Sequence, residues 1–314
     1  MALSLILQFY ACNSDYKSKT ESSNADSTMK LRNVDSTMNR LKRPDPKQLY
    51  KIVALKIEFA NIPAGTFLMG SPNDEPNRGG EDHQDETQHS VTLHAFEMSK
   101  YEITVSQFKA FVESTGYITD AEKDGKSVIW NLIYEGPQVG LLKGVNWRFD
   151  VTGKKRTLKQ YNHPVVHISW NDATAFAEWL GCRLPTEAEW EYACRAGTTT
   201  AYNTGQNITN NKANINGLSQ YMYNAHTTPV GRFSSNSWGL YDMHGNASEW
   251  CSDWYGDYSL NQQTNPSGPS TGTTRVNRGG DCSSSPKYCR SAFRGFSGSS
   301  YSGYDSGFRI VYDN

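Results

Sequence analysis

The residues with the most chemical potential lie in the last third of the chain. Cys282 and Cys289 follow the run Arg275-Val276-Asn277-Arg278-Gly279-Gly280, and the thiolate is the form in which cysteine binds soft metals. Yet the six cysteines (Cys12, Cys182, Cys194, Cys251, Cys282, Cys289) show no C-x-x-C pairing of the zinc type. A second group of metal-type side chains, His83, Asp85, Glu86 and His89, has no companion motif to complete a site and reads as a solvated loop. The stretch from Asp281 to Ser306 is different in kind. It consists almost wholly of Ser, Gly, Tyr, Phe, Asp, Cys and Arg, the mixture that binding loops use. Tyr gives large contact area at low entropy cost, and Ser and Gly give adaptable hydrogen bonding. Tyr288, Phe296, Tyr301 and Tyr304 are the expected anchors, and Asp281, Ser283, Ser284, Ser285, Lys287, Ser297 and Ser299 the expected polar contacts. Cys282 and Gly303 complete the expected contact set. Arg290, Ser291, Ala292 and Arg294 read as fixed positions, the arginines tying the loop to carbonyls or carboxylates.

The elements that must hold this run are legible in part. The 314 residues carry a net charge of -1, which offers no basic field for nucleic acid. Only 37% of residues are hydrophobic while 12% are aromatic, so the core leans on rings. Ile62-Pro63-Ala64-Gly65 marks a turn between two strands, and Val91 to Phe96 alternates like a third. Thr104 caps a helix with Phe108, Phe111 and Val112 on one face. Ser169 or Asn171 caps a second, with Ala173, Phe176, Ala177 and Leu180 on its face, and Thr186-Glu187-Ala188-Glu189 opens a third with a capping box. No helix is expected beyond it. Arg275 to Gly280 and Gly307 to Val311 are expected as strands pairing inside the domain. The fold class is α+β, with few helices, short strands and a high irregular content.

Residues 1–48 read as a signal segment and tether, and residues 49–314 as the folded domain with its variable region at 281–306. The apolar start ending in Ala11-Cys12 is too short to span a bilayer. It resembles a bacterial lipoprotein signal in which Cys12 takes the lipid, so a lipid-anchored place on the bacterial cell surface, at the outer membrane, is expected. The polar segment that follows cannot bury enough surface to fold alone.

Taken together, the motifs resemble the formylglycine-generating-enzyme family, whose domain is an elaborated C-type-lectin fold. The shared runs include Ile62-Pro63-Ala64-Gly65, Tyr101-Glu102-Ile103-Thr104, Gly144-Val145-Asn146-Trp147-Arg148, Ser169-Trp170-Asn171-Asp172-Ala173 and Arg183-Leu184-Pro185-Thr186-Glu187-Ala188-Glu189-Trp190-Glu191-Tyr192-Ala193. Gly239-Leu240-Tyr241-Asp242-Met243 and Gly307-Phe308-Arg309 complete them. The resemblance implies two copper-binding cysteines after Gly279-Gly280. The second falls on Cys289, but the first falls on Ser284, with Cys282 out of register. Ser248 replaces a tryptophan, Asp281 replaces a serine, and Cys194 would face Arg294 where the family has a disulfide. These departures imply no copper and no enzymatic activity. The resemblance also implies a structural calcium held by the Asp242 side chain, the Gly245 and Ala247 carbonyls and Glu249, an all-oxygen set that suits Ca²⁺. A second calcium site of the family would need an Asp near Met222 and is expected to be lost.

Within this relationship the chain is similar to the variable lipoproteins of diversity-generating retroelements. Randomising adenines in Asn codons yields Ser, Gly, Tyr, Phe, Asp, Cys, Arg, Pro and Ala but not Lys, Trp, Glu, Gln or Met. From Asp281 to Ser306 only Lys287 lies outside that set. The expected function is therefore a surface-displayed ligand-binding protein whose terminal loop is diversified. Its partner would be a protein or cell-surface molecule, with no nucleic acid and no membrane contact except the lipid. A copper-dependent formylglycine-generating oxidase and a non-binding envelope protein are the alternatives.

Overall fold

The computed structural model describes residues 46–79, 85–133, 136–216 and 225–313. Cys12 and the tether up to residue 45 lie outside these residues, as do His83 and Met222, while residues 46–48, expected as tether, open the first helix. A short helix α1 (Pro46–Ala54) leads into β1 (Phe59–Ile62), β2 (Gly65–Met69), β3 (His89–Leu93) and β4 (Phe96–Ser99). Then come α2 (Val105–Thr115), α3 (Asp120–Asp124), the hairpin β5 (Lys126–Ile133) and β6 (Gly136–Lys143), α4 (Trp170–Trp179) and α5 (Glu187–Arg195). The final third supplies β7 (Ser248–Trp254), β8 (Gln263–Thr264), β9 (Arg275–Arg278), β10 (Gly295–Ser297), β11 (Ser306–Gly307) and β12 (Val311–Tyr312). Among the described residues, the only helical turn after α5 is a 3-10 turn at Pro286–Cys289.

Four helices begin where side chains satisfy the free N–H groups of the first turn, α3 through Thr119 and Glu122. Thr104, Ser169 and Thr186 each accept from the backbone three residues on, and Gln107, Asp172 and Glu189 return the bond. Helical spacing then puts Phe108, Phe111 and Phe176 in one aromatic cluster. Phe108 and Phe176 stack with centroids 5.8 Å apart, and Phe308 meets Phe176 edge-on at 5.4 Å. Trp250 joins the same core and donates its indole N–H to the Ile168 carbonyl at 2.9 Å. A buried ring with a polar tip needs such a partner.

Two sheets position the C-terminal run. β7 is the spine of a four-stranded sheet ordered β10-β9-β7-β11, antiparallel to β9 and parallel to β11. Strand β4 lies between β1 and β12, so the last strand of the chain pairs beside the first. The expected strand at Arg275–Arg278 is present; the one expected from Gly307 to Val311 is instead two short strands in different sheets, because residues 308–310 turn inward to the core between them. Helices α1 and α3 and the β5–β6 hairpin were not legible. α3 has only five residues between Thr119 and the left-handed Gly125, and β6 contains Gly136, Pro137 and Gly140, which read as loop.

Four fully buried arginines lock the run to the frame. Arg290 bonds Glu75 (2.6 Å) and both oxygens of Glu86 (2.6 and 2.8 Å). Arg294 holds Glu187 through two bonds (2.7 and 2.9 Å) and the Asp85 and Gly256 carbonyls. Arg278 pairs with Glu191, and Arg309 with Glu249 at 2.6 and 2.7 Å. The expectation for Arg290 and Arg294 holds. The solvated-loop reading of Asp85, Glu86 and His89 does not. Glu86 is buried, Asp85 accepts from the Thr87 and Tyr258 amides, and His89 is packed on Tyr258 at 4.7 Å. The Glu86 carboxylate and the Asp85 carbonyl find their partners about two hundred positions away, at Arg290 and Arg294. Breaking a buried pair leaves its partner charged and dry, which costs about 3–5 kcal/mol. Arg290→Ala is therefore expected to lower the unfolding free energy by about 3–5 kcal/mol, read by urea titration. A loss below about 1 kcal/mol, the level of an exposed pair, would contradict the clamp.

Candidate functional site

Ser284 and Cys289 converge on Gly280. A Cβ at that glycine would lie 2.6 Å from the Cys289 Sγ and 3.3 Å from the Ser284 Cβ, and its φ of +67° already excludes most residues. Ser284 donates its hydroxyl to Asp281 Oδ2 at 2.7 Å and accepts from the Asp281 amide at 3.1 Å. Cys289 is sealed among Ala201, Tyr202, Ile208, Ala213 and Ile215. Burial, with the Asp281 charge, pushes its thiol well above the ordinary range. The Cys289 carbonyl accepts from His244 Nδ1 at 2.7 Å, while His244 Nε2 accepts from the Asn203 amide at 3.1 Å. Burial lowers His244 to about 4, so the ring stays neutral with its proton on Nδ1.

The second thiol is elsewhere. Cys282 packs with Trp130, Val151, Val166, Ala225, Ala247 and Tyr304, a different cluster from that of Cys289. The described residues therefore put one thiol and one hydroxyl beside Gly280, which does not fit a copper ion held by two thiolates. Ser248, which stands where the resemblance expects tryptophan, donates toward Asn277 Oδ1 (3.2 Å) and the Arg278 carbonyl (3.3 Å). Cys194 meets the Ser291 hydroxyl at 3.6 Å, not Arg294, and the described cysteines are all free thiols.

The expected contact residues split by side. Ser284, Ser285, Lys287, Tyr288, Ser297, Ser299 and Tyr301 are partly exposed, although the Ser285 hydroxyl itself is buried without a partner among the described residues, and Phe296 is 43% exposed over the Tyr255 ring. Asp281, Cys282, Ser283, Gly303 and Tyr304 are buried, which corrects their expected place on an accessible face. The reasons are local. Asp281 turns inward to accept the Ser283 amide (2.6 Å) and hydroxyl (2.5 Å), Tyr304 packs on Trp130 at 5.4 Å, and the Gly303 carbonyl accepts from the His167 amide. Tyr301 is only half on the face, since its hydroxyl donates to Asp305 Oδ1 at 3.1 Å. Asp305 was not singled out in the sequence, where only its position inside the run could have flagged it. Burial and the neighbouring Asp281 carboxylate raise it to about 6.

Of the four residues expected around calcium, Asp242 and Glu249 sit in one charged cluster with Arg309. Glu249 gives its oxygens to Arg309 and to the Trp190 indole (2.7 Å). Asp242 accepts the Gly231 amide on Oδ2 at 2.6 Å, but its buried Oδ1 has no partner among the described residues. Burial pushes Asp242 up to about 6. Glu102 lies in the same cluster and accepts from Asn246 Nδ2 and the Ala247 amide. Burial first, then Asp242 and Glu249, raise Glu102 well above the carboxylate range. An orphaned carboxylate oxygen in a cluster with more carboxylates than Arg309 can neutralise fits a divalent cation. Among the described residues no three side chains alone form a metal cage, so main-chain oxygens would have to contribute.

The sulfatase-modifying factor enzyme 1-like domain matches residues 54–314. The formylglycine-generating enzyme of Mus musculus is 36% identical over 86% of this chain and 77% of its own. That of Streptomyces coelicolor is 37% identical over 80% of this chain and 88% of its own. Among solved structures, PvdO from Pseudomonas aeruginosa superposes with a TM-score of 0.64 at 28% identity, over 82% of this chain and 95% of that one. Treponema denticola variable protein 1 gives 0.60 at 22% identity over 82% and 95%, and shares the fold. The fold is α+β, the C-type-lectin fold in its formylglycine-generating-enzyme form. The expectation that the chain is not an enzyme is corrected by these curated relatives, which are named for an enzymatic activity and cover most of its length. The chain belongs to the sulfatase-modifying factor enzyme 1-like family, the family of the formylglycine-generating enzymes.

Proposed function

We propose that this family member recognises a protein or cell-surface molecule on the face carrying Ser284, Ser285, Lys287, Tyr288, Phe296, Ser297, Ser299 and Tyr301. These are the positions a retroelement would diversify, and a lipid on Cys12 would display the domain on the bacterial surface. The supporting observation is the split within one run. Its backbone is clamped from beneath by Arg290 and Arg294, while side chains before the first clamp and after the second reach solvent. A backbone fixed before contact lowers the ordering cost of binding. Phe296, Tyr288 and Tyr301 supply ring area, and the serines supply hydrogen bonds. In copies of this locus from several isolates, substitutions are expected to concentrate on these exposed positions and to spare Arg278, Arg290, Arg294 and Arg309. Changes spread evenly over the domain would contradict the reading.

Calcium belongs to the same proposal, as a structural ion. Asp242 and Glu249 would hold it with the Gly245 and Ala247 carbonyls, and its charge would offset the surplus of carboxylates beside Arg309. At 100-fold excess over Kd a ligand of the folded state adds about 2.7 kcal/mol. Calcium is thus expected to raise the melting temperature by several degrees over chelator, and Asp242→Asn to remove that gain. Equal melting of the unaltered protein with calcium and with chelator would contradict it.

The relatives' own activity is the second reading, favoured by the 36% and 37% identities. Under it a polypeptide is again the partner, with its reacting cysteine brought to Cys289 and Ser284. The probe is a Cys-x-Pro-x-Arg peptide with copper and oxygen. This reading expects aldehyde to form and Cys289→Ala to abolish it. No aldehyde from the unaltered protein, or aldehyde that survives Cys289→Ala, would contradict it.

A further inference from the structure

A cavity of about 240 Å³ opens beside the exposed face, between the end of β7, the 256–269 loop and Arg294. That is below the roughly 300 Å³ at which drug-sized pockets begin, so it suits one small group or a single side chain. Its walls include Trp254, Tyr258, Pro266 and Pro269. Three carboxylates line it, Glu187, Asp253 and Asp257, and the two buried ones differ. Glu187 is saturated, holding Arg294 by two bonds and the Tyr258 hydroxyl at 3.1 Å. Asp253 is only 3% exposed and accepts on Oδ2 alone, from the Glu187 amide (2.9 Å) and the Ser252 hydroxyl (3.0 Å).

The Asp253 Oδ1 has no hydrogen-bond partner among the described residues and lies against Gly268, another wall of the cavity. Among the described residues no cation forms a salt bridge with it, although Arg275 lies within electrostatic range. The nearby Arg275 is stacked between Trp170 and Trp254, with centroids 3.8 and 3.4 Å away, and spends a donor on the Ser252 carbonyl. Desolvation, then the Glu187 charge, raises Asp253 to about 7. A buried carboxylate without a counter-ion is costly. A cation entering from the cavity would offset that cost; the Trp254 and Tyr258 rings already hold the Arg275 and Arg294 guanidiniums at 3.4 and 3.8 Å, so selectivity over a neutral group of the same shape rests on the carboxylate.

We propose that this cavity is a binding site for an alkylammonium group, with Asp253 as its counter-ion and Trp254 and Tyr258 as its aromatic walls. The site does not depend on which partner the neighbouring face takes. The occupant would be a free small amine or the end of a lysine side chain; the chemistry is the same. The test uses n-butylammonium and its neutral analogue n-butanol on the whole folded chain, followed by amide chemical shifts. Butylammonium is expected to shift the residues around Asp253 saturably and to bind at least about tenfold more tightly than butanol, an affinity difference of about 1.4 kcal/mol. Asp253→Asn should abolish that preference. The comparison on the unaltered protein stands even if the variant misfolds. Equal binding of the two compounds, no saturable shift with butylammonium, or an undiminished preference in a folded Asp253→Asn would each overturn the proposal. If the amine is confirmed, a lysine-containing peptide that competes with butylammonium assigns a side-chain occupant, and one that does not assigns a free amine.

Discussion

The structure depends on arginine–carboxylate pairs buried far apart in sequence. Arg278, Arg290, Arg294 and Arg309 all come from the last forty or so positions. Their partners Glu75, Glu86, Glu187, Glu191 and Glu249 come from the body of the domain. Such pairs contribute little net stability relative to a well-packed apolar core, because both charges lose their water. What they supply here is placement. A guanidinium fork accepts only a narrow set of carboxylate geometries, so each pair fixes a backbone point in the C-terminal run regardless of the side chains between. That is the property a surface needs if its residues are to differ while its shape stays.

The same constraint explains the arrangement around Gly280. The glycine is crowded by Cys289 and Ser284 because the 3-10 turn at Pro286–Cys289 folds back over it, and Arg290 anchors the far end of that turn. A thiol in this setting is neutral, dry and packed in an apolar cluster, and the hydroxyl opposite it is engaged by Asp281. The chain thus keeps its family's frame while offering different ligands where the resemblance expects two sulfurs. Membership in an enzyme family and the chemistry of this one pocket are separate facts, since function resides in sites carried by a fold.

Much of this was legible from residue types. The capping box at Thr186, the N-cap at Thr104 and the apolar faces of α2 and α4 follow from local spacing and are present, and Ser169 rather than Asn171 caps α4. The roles of Arg290 and Arg294 were legible because a lone arginine in a Ser/Gly/Tyr run needs a partner. The partners themselves were not, because pairing across two hundred positions leaves no local periodicity. For the same reason Glu86 read as solvated. Inward or outward direction within the run was the other blind spot. Irregular backbone has no fixed alternation, so Tyr301 and Tyr304 looked equivalent although only the latter packs on Trp130. Asp253 gave no signal at all, since its cavity is assembled from β7, a distant loop and Arg294.

The central claim is that the buried pairs hold the run's backbone independently of its exposed side chains. Replacing Ser284, Ser285, Lys287, Tyr288, Phe296, Ser297 and Ser299 together by other Ser, Gly, Tyr, Asp or Ala residues, and following denaturant unfolding, tests it most directly. Surface changes of this kind stay within about 0.5 kcal/mol each. The account predicts a cooperative transition with an unchanged denaturant slope and a small midpoint shift, whereas the same treatment of Asp281, Ser283 and Tyr304 collapses the midpoint. Loss of the cooperative transition on changing the exposed set alone would contradict it.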